Sequence, residues 1–258
     1  MLKKFYCCGR IVQVMKHITV TQDLRRYFRS NPQTLIFDGY IANFTGAAVF
    51  CNGNNYALTA QNAFGGTECC LYCEDIGLAL DFVSGLSGKV KLCGISPELT
   101  SALSKRYKSE WITKCNLYVW NGKPLNLDVI DCDIRPLDGI YAADVSNGTP
   151  YHADIRDVAE CLRRHPSAAV YADGKPVCWC LLHLEGDLGM LYTVPQYRRQ
   201  GYALKVMTAL TQTVIEKGDI PYAYIIEGNV ASENLAPKYN IERVCRADYL
   251  EINLDKIN

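Results

Sequence analysis

The sequence predicts a mixed α/β (α+β) fold built from two halves. Short apolar runs with strand-like alternation and longer runs with helical spacing follow one another along the whole chain, and no short-period repeat appears. The 258 residues are 49% hydrophobic and 21% charged, which is typical of a globular chain rather than a disordered or fibrous one. A turn-rich segment, NGKPLNLD, separates the halves, so we expect domains at 1–125 and 126–258.

The second half gives the clearer element pattern. Asp173-Gly174 is typical of a tight hairpin turn, and Gly218 of a helix end. The predicted elements are a strand over 129–138, a helix over 154–164, a hairpin over 167–183, a strand over 188–194, a helix over 203–218, a strand over 221–229, a short helix over 232–239 and a final strand pair over 242–254.

The first half alternates in the same way. Ser96 and Pro97 have the types expected of a helix cap and first helical position. The predicted elements are helices over 22–29 and 31–44, strands over 47–52, 55–60 and 68–73, a helix over 74–86, a strand over 89–95, a helix over 96–107 and a strand over 111–120.

Charge and hydropathy narrow the class of partner. The chain has 27 basic and 27 acidic residues, so net charge gives no reason to expect nucleic acid. Residues 1–128 carry 14 Lys and Arg against 9 Asp and Glu, and the remainder 13 against 18, which gives +5 and −5. No apolar run approaches the ~18 residues of a membrane span, and the first residues form no apolar signal region. We expect a cytoplasmic protein without a membrane partner, and the oligomeric state is left open.

Thirteen cysteines raise the question of disulfides or metal. Their number is odd and their spacing irregular, and in a reducing compartment Cys behaves as a small buried hydrophobe. The pairs Cys70/Cys73 and Cys178/Cys180 lie in predicted strands rather than on the turns that a zinc site uses, and Cys7-Cys8 is a doublet. We therefore expect no metal.

A basic loop between a predicted strand and a predicted helix carries the chemistry. The run LYTV-PQYRRQGY-ALKVMTAL places Arg198, Arg199 and Gly201 ahead of the helix. Free backbone N–H groups and the positive end of a helix bind phosphate, and glycine lets the backbone approach a ligand closely. The patterns G-x-x-x-x-G-K-[ST] and G-x-G-x-x-G are absent from this position. The loop taken alone fits either a phosphate site of another kind or an ordinary basic connection between a strand and a helix.

The segment VPQYRRQGYALKVM resembles the pyrophosphate-binding motif [QR]-x-x-G-x-[GA] of the GNAT superfamily of acyl-CoA-dependent N-acyltransferases, with Arg198, Gly201 and Ala203 on its defined positions. IRPLD near residue 135, the hairpin and EGNVASENL follow the family's order. The stretch PVCWCLLHLEGDLGMLYTVPQYRRQGY is similar to the glycine N-acyltransferase-like group. The resemblance covers about residues 129–256 and implies a GNAT-like C-terminal half with a central splayed mixed sheet, preceded by a degenerate GNAT-like N-terminal half.

The resemblance also implies a donor site. Acetyl-CoA, or another acyl-CoA, would lie between the strand before the loop and the next parallel strand, with backbone contacts from Tyr192 and Val194. Backbone N–H groups of Arg199, Gly201, Tyr202, Ala203 and Leu204 would bind the pyrophosphate. The implied donor-binding residues together are Tyr192, Thr193, Val194, Arg198, Arg199, Gln200, Gly201, Tyr202, Ala203, Leu204 and Asn229.

The proton-transfer residues follow from the same resemblance and from the chemistry. A protonated amine has no lone pair and must lose a proton before it attacks a thioester, so a general base helps unless free amine is abundant. Asp187 stands where the glycine N-acyltransferase-like group has a catalytic Glu. The alternatives for the base are Glu185, His183 and Glu227. Tyr239 is the candidate acid, because Ala236 stands where the pattern N-x-x-x-x-x-L-Y has its Tyr. The predicted catalytic residues are Asp187, Glu227 and Tyr239.

The expected activity is therefore transfer of an acyl group, most simply acetyl, from coenzyme A to the primary amine of a small molecule or amino acid. Direct attack needs no covalent enzyme intermediate. Two other functions fit the same residues. One is a non-catalytic acyl-CoA-binding or interaction module, favoured by Ala236 and by Asp187 in place of Glu; the other is a protein N-acetyltransferase.

Overall fold

The computed structural model describes residues 5–7, 10–12, 14–62, 65–149 and 153–257. The helices are α1 (Gln22–Ser30), α2 (Leu35–Asn43), α3 (Ile76–Ser84), α4 (Pro97–Arg106), α5 (Ala142–Gly148), α6 (Ile155–Arg164), α7 (Tyr202–Glu216) and α8 (Val230–Leu235). The strands are β1 (Phe5–Cys7), β2 (Arg10–Val12), β3 (Lys16–Ile18), β4 (Ala48–Asn52), β5 (Asn55–Gln61), β6 (Thr67–Tyr72), β7 (Lys89–Ile95), β8 (Tyr107–Thr113), β9 (Cys115–Trp120), β10 (Ile134–Arg135), β11 (Ser167–Ala172), β12 (Lys175–Leu182), β13 (Leu188–Thr193), β14 (Tyr222–Ile226), β15 (Ile241–Arg246) and β16 (Asp248–Ile257).

The chain forms two compact units. The first unit comprises residues 1–115 and 246–258, and the second unit comprises 116–245. The compact units thus differ from a single cut at 125/126, because the last residues join the first unit. The predicted assignment of 1–125 as a degenerate half and 126–258 as a donor-binding half stays a prediction.

The first unit contains a seven-stranded mixed sheet. Its strand order is β3-β4-β5-β6-β7-β16-β8, with antiparallel pairing from β3 to β6 and parallel pairing between β6 and β7. Apolar side chains of β5 to β7, α3, α4 and β16 form its core, among them Leu92, Leu103 and Leu250, all fully buried. Burial of such side chains contributes ~1.5–3 kcal/mol each, so this cluster accounts for much of the unit's stability.

The second unit contains two sheets that separate at β13. One has the order β10-β11-β12-β13 and the other the order β14-β9-β15. Strands β13 and β14 approach each other but are not hydrogen-bonded as neighbours. The predicted central splayed mixed sheet is confirmed.

Strand β12 lies at the centre of the second unit and is buried on both faces. Cys178, Cys180 and Leu182 pack toward α7, whereas Trp179 and Leu181 pack toward α5 and α6. Alternation of side chains along a strand explains this division, and the small cysteine side chains let α7 approach closely. The sheet edge that follows, β13, is thereby held between two helical layers.

The chain passes from one unit to the other within two β-rich segments, near residues 115 and 246. The predicted strand over 111–120 is two strands, β8 in the first unit's sheet and β9 between β14 and β15. The predicted final strand pair over 242–254 corresponds to two strands, of which β15 belongs to the second unit and β16 lies between β7 and β8. The expectation of a single strand over 111–120 is wrong.

The predicted and observed elements of the second unit also differ in smaller ways. The predicted strand over 129–138 reduces to Ile134–Arg135, preceded by a 3-10 turn over Leu127–Val129. The helix α5 was not predicted, because its sequence AADVSNG is short and polar. Among the described residues, no helix is both long and apolar enough to cross a membrane.

The cysteines are free thiols wherever the structure describes their side chains. Cys69, Cys70, Cys178 and Cys180 are buried. Cys8 and the side chain of Cys7 lie outside the described residues. The buried thiols are consistent with Cys used as a small hydrophobe.

Candidate functional site

The outer edge of β13 is the feature on which the site depends. β13 is the last strand of its sheet, so no other described strand is hydrogen-bonded to the side away from β12. The Val194 N–H donates to the Val177 carbonyl at 2.9 Å, and the backbone groups of successive residues face opposite sides of an antiparallel strand. Thr193 therefore presents its N–H and C=O to the open side, where its C=O accepts from Arg198 Nε at 2.9 Å.

This geometry bears on two predicted contacts. The Val194 C=O accepts the Tyr197 N–H at 2.8 Å, so both of its backbone groups have partners within the chain. Tyr192 pairs with Trp179 and has the same backbone orientation as Val194. The donor contacts expected of Tyr192 and Val194 therefore have no support from the pairing and stay predictions, whereas the backbone groups of Thr193 face the open side. Residue types alone do not indicate which of two successive residues faces outward.

A β-bulge interrupts β13 just before this edge. The pairing steps from Leu181 opposite Gly189 to Trp179 opposite Tyr192, so two residues, Met190 and Leu191, oppose Cys180. Met190 has a left-handed backbone, φ 51°. A bulge leaves an extra residue unpaired and re-aims the backbone, which makes it a source of an N–H donor at the sheet edge.

The loop after β13 has a constrained backbone. Pro195–Tyr197 form a 3-10 turn, Arg199 has φ 66° and Gly201 has φ 80°. A left-handed conformation costs a residue other than glycine ~1–2 kcal/mol, and such strain concentrates at ligand sites. Gly201 adopts its conformation without that cost and stands immediately before α7.

The loop leaves a row of amide donors exposed. Within the part of the chain that the structure describes, the backbone N–H groups of residues 199–203 have no protein acceptor. They precede or open α7, whose N-terminus has no side-chain cap. Leu204 is different, because its N–H donates to the Gly201 C=O at 3.0 Å. The predicted pyrophosphate contact of the Leu204 amide therefore lacks a supporting geometry and stays a prediction, and the remaining amides form a cradle of the kind that binds anions.

Cations flank this cradle. Arg198 lies beside the Tyr192 ring, with its guanidinium carbon 5.7 Å from the centroid. Lys205 forms an ion pair with the exposed Asp131 and lies 5.4 Å from the centroid of Tyr202. The Asp131 carboxylate raises the pKa of Lys205, and Lys205 in turn lowers the pKa of Asp131. Arg199 and Gln200 are exposed.

A histidine and an aspartate form a pair at the other end of β13. His183 Nδ1 lies 2.9 Å from Asp187 Oδ2. The Asp187 side chain is only 4% exposed, and that of His183 is 25% exposed. Tyr222 at the start of β14 donates to the Glu185 C=O at 2.8 Å, which fixes the turn between the two residues. Asp187, predicted as the base, is thus a buried partner of His183.

The remaining predicted residues are not gathered at this pair. Glu227 is exposed after the end of β14, and Asn229 caps α8 by accepting the Ser232 N–H at 3.2 Å. Tyr239 is buried in the α7 core, and burial raises its pKa well above the ordinary value. A phenol in such surroundings is a poor proton donor to a bound substrate. The catalytic roles of Glu227 and Tyr239 stay predictions without a supporting contact.

The first unit has the same order of elements but a closed sheet. Its strands β6 and β7, which flank α3 along the chain, pair in parallel from Thr67 opposite Val90 to Cys70 opposite Cys93. The N-terminus of α3 is occupied by Asp75, whose carboxylate accepts the Leu78 N–H at 3.0 Å. The first unit thus lacks, at this place, both the gap and the uncapped helix of the second.

Comparisons with known proteins agree with this architecture. Residues 170–246 match the family model described as FR47-like protein. Glycine N-acyltransferase of Mus musculus is 27% identical over 141 residues, which cover 53% of this chain and 47% of the mouse protein. The chain thus spans about half the length of the curated relatives that it matches.

Solved structures confirm the fold. A Drosophila protein aligns with a TM-score of 0.71 at 12% identity and covers 93% of this chain and 99% of its own. A GCN5-related N-acetyltransferase-like protein from Streptococcus suis aligns with a TM-score of 0.57 at 13% identity, covering 90% and 97%. The predicted relationship is confirmed: the chain has the GNAT fold, and residues 170–246 match an FR47-like domain.

Proposed function

We propose that this protein is an acyl-CoA-dependent N-acyltransferase that transfers an acyl group, most simply acetyl, to the primary amine of a small molecule or amino acid. The observation that carries the proposal is the open edge of β13 leading directly into an uncapped helix N-terminus. The glycine N-acyltransferases among the relatives support an amine acceptor of this kind.

The donor fits the second unit in two parts. The amides of residues 199–203, with Arg198 and Lys205 beside them, offer a diphosphate both hydrogen bonds and positive charge. The outward N–H and C=O of Thr193 offer the amides of an extended pantetheine arm a strand edge. Arg198 would then leave the Thr193 carbonyl.

The bulge supplies what the transition state needs. Attack of an amine on a thioester carbonyl develops negative charge on the carbonyl oxygen, and a fixed backbone N–H stabilises that charge. Met190 and Leu191 lie on β13 between the His183–Asp187 pair and Thr193, whose backbone groups face the open side. A thiol is a much stronger acid than an alcohol, the ordinary pKa of a cysteine thiol being ~8.5, so the coenzyme A thiolate leaves without a strong acid.

A covalent route through Cys178, whose thiol lies beside Thr193, is not favoured. Cys178 Sγ lies 3.1 Å from Thr193 Oγ1, but burial raises the pKa of Cys178 to about 11. Since the thiolate is the nucleophile, this thiol is inactive at neutral pH. Direct transfer from donor to amine is the simpler route.

Titration calorimetry with acetyl-CoA tests the donor assignment. We expect one molecule to bind per chain, because the strand pairing of β6 and β7 and the Asp75 cap leave the first unit without the corresponding gap and amides. A concentration 100 times the dissociation constant should stabilise the protein by ~2.7 kcal/mol in thermal unfolding. Two molecules bound per chain, or none, would contradict the proposal.

Release of free coenzyme A separates an enzyme from a binding module. The parent protein is mixed with acetyl-CoA and a panel of amino acids, alkylamines and a lysine-containing peptide. Turnover with an amino acid or small amine supports the proposed acceptor class, and turnover with the peptide alone supports protein acetylation. Binding of acetyl-CoA with no turnover on any amine would identify a binding module.

Replacement of Asp131 tests the role of the cations, because it is expected to tighten donor binding rather than weaken it. Its carboxylate pairs with Lys205 beside the cradle, so removing it should free positive charge for the diphosphate. Because an exposed ion pair contributes at most ~1 kcal/mol, we expect Asp131→Asn to tighten acetyl-CoA binding about two- to fivefold at low salt. Lys205→Met should weaken binding.

A neighbouring carboxylate provides the matched control. Asp133 is also exposed and pairs with Arg135 at 3.0 Å rather than with Lys205. Asp133→Asn should leave the dissociation constant of acetyl-CoA unchanged. Equal tightening by Asp131→Asn and Asp133→Asn would show a general charge effect and would reject the role given to Lys205.

A further inference from the structure

We propose that His183 accepts the proton of the attacking amine and that Asp187 is the positioning residue that holds the imidazole. The inference rests on the proposed function, since it assigns the base of that reaction. It reverses the role that the sequence suggested for Asp187. The carboxylate is the buried member of the pair, and the imidazole is the member that reaches the surface.

The hydrogen bond between the two side chains sets the tautomer. With His183 Nδ1 at 2.9 Å from Asp187 Oδ2, a proton on Nδ1 is donated to the carboxylate. The lone pair of the neutral imidazole then lies on Nε2, the nitrogen on the far side of the ring. A carboxylate in this position fixes the ring and stabilises the imidazolium that forms after proton transfer.

The burial of Asp187 supports a positioning role. Among the described residues, its Oδ1 atom is buried and has no hydrogen-bond partner. A buried carboxylate is costly unless it is paired, so one that is bonded through a single oxygen needs a reason to be retained. Orientation of His183 is that reason, because the bond to Nδ1 is its ion-pair contact in the structure.

Gly189 makes room for the ring. A Cβ at this position would lie 2.6 Å from His183 Nδ1, 2.7 Å from Nε2 and closer still to Cε1. The imidazole therefore rests directly on the backbone of β13. Gly189 immediately precedes Met190, the first residue of the bulge. The base is thus placed next to the backbone that the proposed function assigns to the carbonyl oxygen.

The proton balance of the step is simple. A neutral primary amine forms the C–N bond to the thioester carbon, gives one proton to His183 Nε2, and the C–S bond breaks. The imidazolium returns that proton to the leaving sulfur, so an amide and free coenzyme A are the products. No oxidant, metal or covalent enzyme intermediate enters the balance.

Replacement of His183 tests the assignment with the amine that the parent protein turns over fastest. We expect His183→Ala to lower kcat by about 10²–10⁴-fold while the dissociation constant of acetyl-CoA changes less than threefold. Added imidazole should restore part of kcat in His183→Ala, in proportion to its concentration. Rescue of this kind distinguishes a lost base from a lost packing contact.

Two further variants test the support of the ring. Asp187→Asn should lower kcat with little change in donor binding, and it should not respond to imidazole, because His183 is still present. Gly189→Ala should displace the ring and lower kcat similarly. The matched control is Gly139→Ala, where an added Cβ meets no atom within 4 Å and activity should be unchanged.

Nitrogen NMR of the parent gives a readout that does not depend on activity. The neutral form of His183 is expected to carry its proton on Nδ1, and Asp187→Asn is expected to change that tautomer distribution. An Nε2–H tautomer in the parent, or His183→Ala with full activity, would overturn the assignment of the base alone. A parent that binds no acetyl-CoA or turns over no amine would overturn the proposed function and this inference with it.

Discussion

Gly201→Val is expected to abolish acetyl-CoA binding, with at least a 100-fold rise in the dissociation constant, while the second unit stays folded. Gly201 has φ 80°, and a valine in this conformation carries a cost above the ~1–2 kcal/mol of an ordinary residue. Within the described residues, the atom nearest to its added Cβ is Lys205 Cε at 3.8 Å, so the side chain would enter the open space in front of the amides. Calorimetry with acetyl-CoA measures the effect.

Gly218 at the other end of α7 is a matched control for the backbone strain. Its φ is 79°, and among the described residues an added Cβ there meets no atom within 4 Å. Gly218→Val should therefore lower the unfolding free energy by an amount similar to Gly201→Val and leave donor binding intact. If both variants lost donor binding equally, strain in α7 rather than obstruction of the cradle would be the cause.

The strand, loop and helix around Gly201 were predictable because their signals are local. A strand, a basic loop with Gly201 and an amphipathic helix are adjacent in sequence, and adjacency fixes their relative positions. The left-handed backbone of Arg199 and the bond from the Leu204 N–H to the Gly201 carbonyl were not predictable, since residue types alone do not fix the exact turn. The residues of the loop followed from sequence, and the list of its free amides needed the structure.

The arrangement of the His183–Asp187 pair could not be predicted from the sequence. His183 and Asp187 are four residues apart on opposite sides of a turn, and E-G-D in such a turn is also typical of a solvated loop. Only the geometry places the carboxylate inside and the imidazole over Gly189. The glycine at 189 was the available signal, because a glycine inside a strand often marks close approach of another group.

The assignment of β8, β9, β15 and β16 to two different units could not be predicted from the sequence, for a different reason. The sequence predicts one strand for WITKCNLYVW and a strand pair for ERVCRADYLEINL, but a local pattern does not indicate which sheet a strand joins. Each breaks at a single residue, Lys114 and Ala247 respectively, and continues in another sheet. Pairing between residues more than a hundred positions apart is decided by tertiary packing rather than by propensity.

The largest loss of stability should follow the double substitution Leu250→Ala and Ile252→Ala, because β16 lies inside the sheet of the first unit. Both residues are fully buried in β16, between β7 and β8. Each truncation costs ~2–5 kcal/mol, and a domain's whole stability is only ~5–15 kcal/mol. We expect hydrogen exchange to accelerate throughout the first unit, including β5 and β6 far away in sequence, with a much smaller effect on β11 to β13.

Lys256→Ala, on an exposed residue of the same strand, should change the hydrogen exchange of neither unit. Uniform acceleration confined to the last thirteen residues would mean that β16 is a dispensable edge and that the central position described for it is wrong.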